Sequence, residues 1–173
     1  MIVGMDFGTT NSGMSVYDGE NLHLIPLDRS NRNPHVARSA LYITNDRRVY
    51  IGRSAVEQYY QENLNRPSKI ERIHVGEIEM TFSELPTFVR DVYIEKDTLS
   101  PGRLFLSFKM GLSSPNYLGT IVGNQYFFLE DIIATYLYIT RKRAEAHLNT
   151  TLDTIVLGRP VRFSDEADAS AFA

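Results

Sequence analysis

Apolar and polar positions change period several times along this chain, and the changes mark its elements. Met1-Ile2-Val3-Gly4-Met5 is apolar almost throughout, as a strand buried on both faces would be. Residues 2–7, 13–18 and 22–26 read as three strands, and Asp18-Gly19 is a hairpin signal between the last two. A polar loop occupies 28–34. Ser39-Ala40-Leu41-Tyr42-Ile43 then reads as extended, Asn45-Asp46 as a turn, and Arg48-Val49-Tyr50-Ile51 as the strand that pairs back. Ser54 and Glu57 have the spacing of a capping box, which predicts a helix to about Leu64, before Pro67.

Residues 69–82 alternate in part, with a turn expected at Val75-Gly76-Glu77. Glu84 to Val92 reads as a short helix with Pro86 in its first turn, and Arg103 to Lys109 as a strand ending on a lysine, followed by a loop at 110–115. Gly123-Asn124 marks another hairpin. The longest helix is expected over Leu129 to Leu148, with apolar positions at Leu129, Ile132, Ile133, Tyr136, Leu137, Ala144 and Leu148. Glu130 and Asp131 at its start, and Arg141, Lys142 and Arg143 nearer its end, suit the helix dipole. Asn149-Thr150-Thr151 breaks it, and Thr154 to Gly158 reads as a buried strand. Residues 164–173 have helical composition with Ser164 as N-cap, and the pattern stops at Ala173 without a C-cap, so a longer parent protein is expected. The order predicts an α/β fold: a mixed sheet with flanking helices built from 1–27 and 118–173, carrying an inserted smaller α+β subdomain at 28–117.

Composition narrows the class. The 173 residues suggest one domain or two small ones, and 43% hydrophobic with 23% charged residues is ordinary for a globular protein. A net charge of -3 offers no basic excess, so no nucleic-acid partner is expected. The absence of cysteine excludes a disulfide scaffold, a thiolate zinc site and a cysteine nucleophile, and fits a reducing compartment. The N-terminus lacks a signal-peptide pattern, and no apolar run approaches the roughly 20 residues of a membrane-spanning helix, so a soluble cytoplasmic protein with no membrane partner is expected. His23, His35, His74 and His147 are scattered without ligand spacing. Arg141-Lys142-Arg143 reads as a solvated helix end, and Tyr59-Tyr60 and Tyr136/Tyr138 as packing.

The candidate chemistry sits at Asp6-Phe7-Gly8-Thr9-Thr10-Asn11-Ser12-Gly13. A strand–turn–strand with hydroxyls and an acid at the turn can hold phosphate on converging backbone N–H groups, with Asp6 holding a metal through water. An ordinary polar hairpin turn fits the same residues. The stretch is neither a P-loop, since G-x-x-x-x-G-K-[ST] is absent, nor a dinucleotide fingerprint, which opens a helix.

Gly4-Met5-Asp6-Phe7-Gly8-Thr9-Thr10-Asn11-Ser12 resembles the first phosphate motif of the actin, sugar kinase and Hsp70 ATPase superfamily, and Thr10-Asn11-Ser12 is similar to Hsp70 in particular. Thr154 to Phe163 resembles the Hsp70 strand that ends in a proline and an aromatic. Pro160, Phe163 and Asp165 match, Ser164 and Arg162 depart, and Gly158-Arg159-Pro160-Val161 is closest to a divergent bacterial branch. Val49 to Ala55 is similar to the family's strand, glycine and helix start, while 66–117 match only in outline.

The resemblance implies the N-terminal part of the nucleotide-binding domain of an Hsp70-like ATP-dependent chaperone, with a ribonuclease H-like sheet. It implies ATP or ADP with Mg²⁺, and K⁺ as a further ion the family allows. Gly8, Thr9, Thr10 and Asn11 would hold phosphate, Asp6 would hold Mg²⁺ through water, Lys109 would orient the attacking water, and Pro160 with Arg159 would couple nucleotide to a substrate domain. In a full-length parent the partners would be unfolded polypeptide and co-chaperones. A small-molecule kinase of the same superfamily and a non-catalytic protein-interaction lobe are the alternatives. The second phosphate motif and the peptide-binding domain are not in this chain, so weak Mg·ATP binding without useful turnover is expected.

Overall fold

In the computed structural model, which describes residues 2–82, 85–114 and 117–158, α and β elements are mixed, with several sheets and few helices. Strands β1 (Ile2–Phe7), β2 (Asn11–Tyr17) and β3 (Leu22–Ile25) form an antiparallel meander. Short β4 (Ala37–Arg38) pairs with the start of β2. Then come β5 (Ala40–Thr44), β6 (Val49–Ile51), α1 (Arg53–Asn63), β7 (Ile70–Phe82), β8 (Leu85–Asp97) and β9 (Gly102–Leu106). A 3₁₀ helix (Phe108–Ser113), β10 (Gly119–Val122), β11 (Gln125–Phe128), α2 (Leu129–Leu148) and β12 (Val156–Gly158) complete the order. Among the described residues, no helix is long and apolar enough to cross a membrane.

The described residues fall into two compact units: those up to Glu62 with those from Gly102 onward, and Asn63–Pro101. The divisions thus come at 62/63 and 101/102, whereas the sequence suggested 27/28 and 117/118.

In the first unit the main sheet is ordered β12-β1-β2-β3, with β12 parallel to β1. Helix α2 supplies Ile132, Tyr136 and Ala144 to a core that also holds Val3, Met5, Phe7, Met14 and Val16. β1 is therefore buried on one face only, with Ile2 and Asp6 exposed, and not on both as its composition suggested. The strand covered on both faces is β5, between β6 and β9. Its Leu41 and Ile43 enter the main core, while Ala40 and Tyr42 pack with Ala55 in a second one. β12 is exposed at all three residues, against the buried strand expected, because among the described residues it is an edge strand paired only with β1.

Other expectations shift for local reasons. α1 has no Ser54–Glu57 capping box: Ser54 donates to the Ile51 carbonyl at 2.9 Å, and Glu57 pairs with Arg53 at 2.6 Å. The Arg53 N–H donates instead to Asp28 at 2.8 Å, so a buried carboxylate 25 residues upstream caps the helix. α2 begins and ends where its periodicity places it. Asn149 stops it by taking a left-handed φ of 51°. Thr140 is the buried polar exception on its face, and its hydroxyl donates to the Tyr136 carbonyl one turn back.

The second unit is dominated by a two-stranded antiparallel ribbon, β7 with β8. The turn expected at Val75-Gly76-Glu77 is a bulge within β7, and the helix expected at 84–92 is strand from Leu85. The β-branched residues Val89, Val92 and Ile94 and their pairing with β7 outweigh the helical spacing.

Candidate functional site

Phe7 and Ser12 are register partners, so Gly8-Thr9-Thr10 closes β1 onto β2. A Cβ on Gly8 would stand 2.3 Å from the Asn11 carbonyl oxygen, so only glycine fits the turn without moving backbone. Donors from distant parts of the chain hold its carbonyls from behind. Ser39 donates its hydroxyl to the Gly8 carbonyl at 2.7 Å and its N–H to Thr10 at 2.8 Å. Lys109 donates to the Phe7 carbonyl across 102 residues of sequence. Among the described residues, the N–H groups of Thr9 and Thr10 have no acceptor, and both residues are exposed. The turn therefore directs its carbonyls inward and leaves its tip donors for a ligand.

Lys109 owes its position to a break in the chain. It does not end a strand, as expected: β9 stops at Leu106, and Ser107 adopts a left-handed φ of 51°. The 3₁₀ helix that follows buries Phe108 against Phe7 and Tyr136, with ring centroids 5.4–6.0 Å apart. Half-buried Lys109 then lies with its ammonium 5.3 Å from the centre of the Phe7 ring.

A buried hydroxyl cluster supports the turn. The one hydroxyl proton of Ser39 goes to Gly8, so Ser12, 3.0 Å away, donates to Ser39. Tyr136 donates to the Arg38 carbonyl at 3.1 Å. Burial raises the Tyr136 phenol above its ordinary pKa, against the opposing hydrogen bonds of Ser12 and Ser39. The tyrosine thus stays a donor in this site.

Asp6 projects from the opposite face of the sheet. Its ladder neighbours are Gly13 on β2 and Gly158 on β12, so neither partner strand sets a side chain directly opposite the exposed carboxylate. An open hollow of about 570 Å³ lies there, lined by Asp6, Asn11, Gly13, Asn33, His35 and Gly158 among others. The 33–36 loop packs beside Gly13, where a Cβ would lie in ordinary contact, 3.7 Å from the His35 carbonyl. That loop is tied down by Asp28 N–H to Pro34 O at 3.0 Å, Asn31 Nδ2 to Val36 O at 2.7 Å and His35 N–H to Asn33 Oδ1 at 3.1 Å.

The fold therefore brings Lys109 to the turn formed by Gly8, Thr9, Thr10 and Asn11, with Asp6 on the opposite face of the sheet. Arg159 and Pro160 lie outside the described residues. Sequence reading missed Ser39, Tyr136 and His35 as parts of the site. Ser39 sat in an ordinary strand pattern, Tyr136 in a helix stripe, and His35 among histidines without ligand spacing. Of the others, His23 pairs with Asp18 at 2.7 Å and His74 with Asp91 at 2.9 Å, both exposed. Among the described residues, no three His, Asp or Glu side chains converge as a metal cage. The site can offer a cation one carboxylate, with water completing its shell, as suits Mg²⁺.

No protein-family model matches this chain, and no curated protein matches it.

Proposed function

We propose that this chain is the first lobe of the nucleotide-binding domain of an Hsp70-like ATPase, with a ribonuclease H-like sheet and one wall of an ATP phosphate site. The observation that carries the reading is Lys109 reaching the Phe7 carbonyl at the base of the turn. A lysine far along the chain reaches the turn that carries the two free amides and follows the acid, which supports the reading. The antiparallel meander with parallel β12 on its edge, and α2 covering one face, supports the fold assignment.

The residues present fit Mg·ATP. Gly8 leaves room for close approach of backbone, the Thr9 and Thr10 N–H groups would donate to phosphate oxygens, and Asp6 would hold Mg²⁺ through water. Lys109 supplies a positive charge beside that turn. Bound Mg²⁺ would offset phosphate charge; the protein's part is positioning and electrostatics. Cytoplasmic location, clients and co-chaperones follow from the same reading.

The test is an amide NMR titration of the chain with Mg·ATP. Saturable shifts at Thr9 and Thr10, in the millimolar range and lost in Lys109→Met, are expected. Absence of any response at the turn would sink the proposal. Micromolar affinity would show that this chain holds the adenosine by itself, contrary to a one-wall site.

A further inference from the structure

We propose that His35 is a ligand-contacting residue of this site, donating its Nε2–H to a phosphate oxygen in the hollow over Asp6. The proposal rests on the phosphate-site reading above and adds a residue that the resemblance does not supply.

Three observations converge on it. His35 lines the same hollow as Asp6 and Asn11. Its backbone is pinned over Gly13, the ladder partner of Asp6, by hydrogen bonds on both sides of the loop. Its Nδ1 is shut away from solvent and has no hydrogen-bond partner among the described residues. With Nδ1 enclosed, Nε2 is the ring nitrogen left for a ligand.

The enclosed Nδ1 also decides where the proton sits. A neutral imidazole carries one N–H and one lone pair. A proton on Nδ1 would strand a buried donor, at the full cost of its desolvation. A proton on Nε2 leaves the donor where water or a ligand accepts from it. The ring is then a fixed donor, and it serves a phosphate oxygen without competing with Asp6 for Mg²⁺.

Side-chain ¹⁵N NMR at about pH 8, where an ordinary histidine is neutral, reads the tautomer directly. The free chain is expected to show His35 protonated at Nε2. Titration with Mg·pyrophosphate is expected to shift that nitrogen along the same isotherm as the Thr9 and Thr10 amides. His35→Gln, which can place an amide donor near the Nε2 position, keeps the affinity within about threefold. His35→Ala and His35→Asn weaken it about tenfold, in line with one hydrogen bond to a charged oxygen. An Nδ1-protonated ring, or turn amides that saturate while His35 does not shift, would overturn this inference and leave the phosphate-site reading standing. No response at Thr9 and Thr10 would overturn both. The tautomer and the co-titration are read on the unaltered chain, so they hold even if a variant fails to fold.

Discussion

Two antiparallel hairpins in this chain have opposite surroundings. β1–β2 has short strands with one face against α2, and Val3, Met5, Phe7, Met14 and Val16 are all buried. β7–β8 has strands of 13 residues, and Ile70, Val89, Tyr93 and Ile94 are exposed. The ladder alone does not make a site. In the first hairpin the Phe7, Gly8 and Thr10 carbonyls are gripped by side chain or backbone from elsewhere, which fixes the turn. In the ribbon the polar contacts, such as Arg72 over the Tyr93 ring at 4.3 Å, lie in water and hold little in place.

The largest way to break that contrast is to remove one tyrosine from each. Tyr136→Ala, in a fully buried position touching Phe7 and Phe108, is expected to cost about 3–5 kcal/mol in urea unfolding, whereas Tyr93→Ala costs under about 1 kcal/mol. Equal losses would mean the ribbon has a cover not seen among the described residues. Next comes Asp28→Ala, which strands the Arg53 N–H and releases Ser30, and is expected to cost about 1–3 kcal/mol by the same measurement. Ser39→Ala is expected to cost about 1 kcal/mol. It should also speed amide exchange at Ser12 and weaken the Mg·ATP response at Thr9 and Thr10, while exchange in β7–β8 stays unchanged.

The smallest effect is acid. Lys142, the Leu152 N–H and Arg141 hold the Glu145 carboxyl down to about 2 from its ordinary 4.5. A depressed carboxylate contributes stability that is fully present above pH 4.5 and is lost as the pH falls toward 2. Asp97, at the base of the ribbon, is lowered by Arg66 and by the Lys69 and Leu99 N–H groups, so its contribution also fades in acid, below its ordinary 3.8. Amide shifts of Leu152 and Lys69 followed against pH should report the two losses separately; a loss that begins above neutral pH would contradict the assignment.

Both strands of the first hairpin were legible in the sequence, as apolar runs on either side of a polar, glycine-containing turn, although the one-faced burial of β1 was not. The bounds of α2 were legible too, from its stripe and from Asn149. The start of β8 was misread because Pro86 and Glu84 imitate a helix start. The site was half legible. Asp6 and the turn announced themselves by residue type, whereas Ser39, Tyr136 and His35 matter through contacts between residues tens of positions apart. Lys109 came through its family likeness, and its actual placement depends on Ser107 leaving the strand.

The parallel pairing of Gly4 with Val156 bears on how the chain is made. The strand that pairs with the outer edge of β1 emerges from the ribosome some 150 residues after it, on the order of ten seconds at ordinary synthesis rates. Through that interval the edge of β1 beside Asp6 is an open template for foreign strands. The contact that completes the sheet is among the most distant in sequence, so the final step of folding should be slow relative to hairpin closure. Nascent chains released before Val156 are expected to bind a strand-shaped peptide that the finished protein refuses.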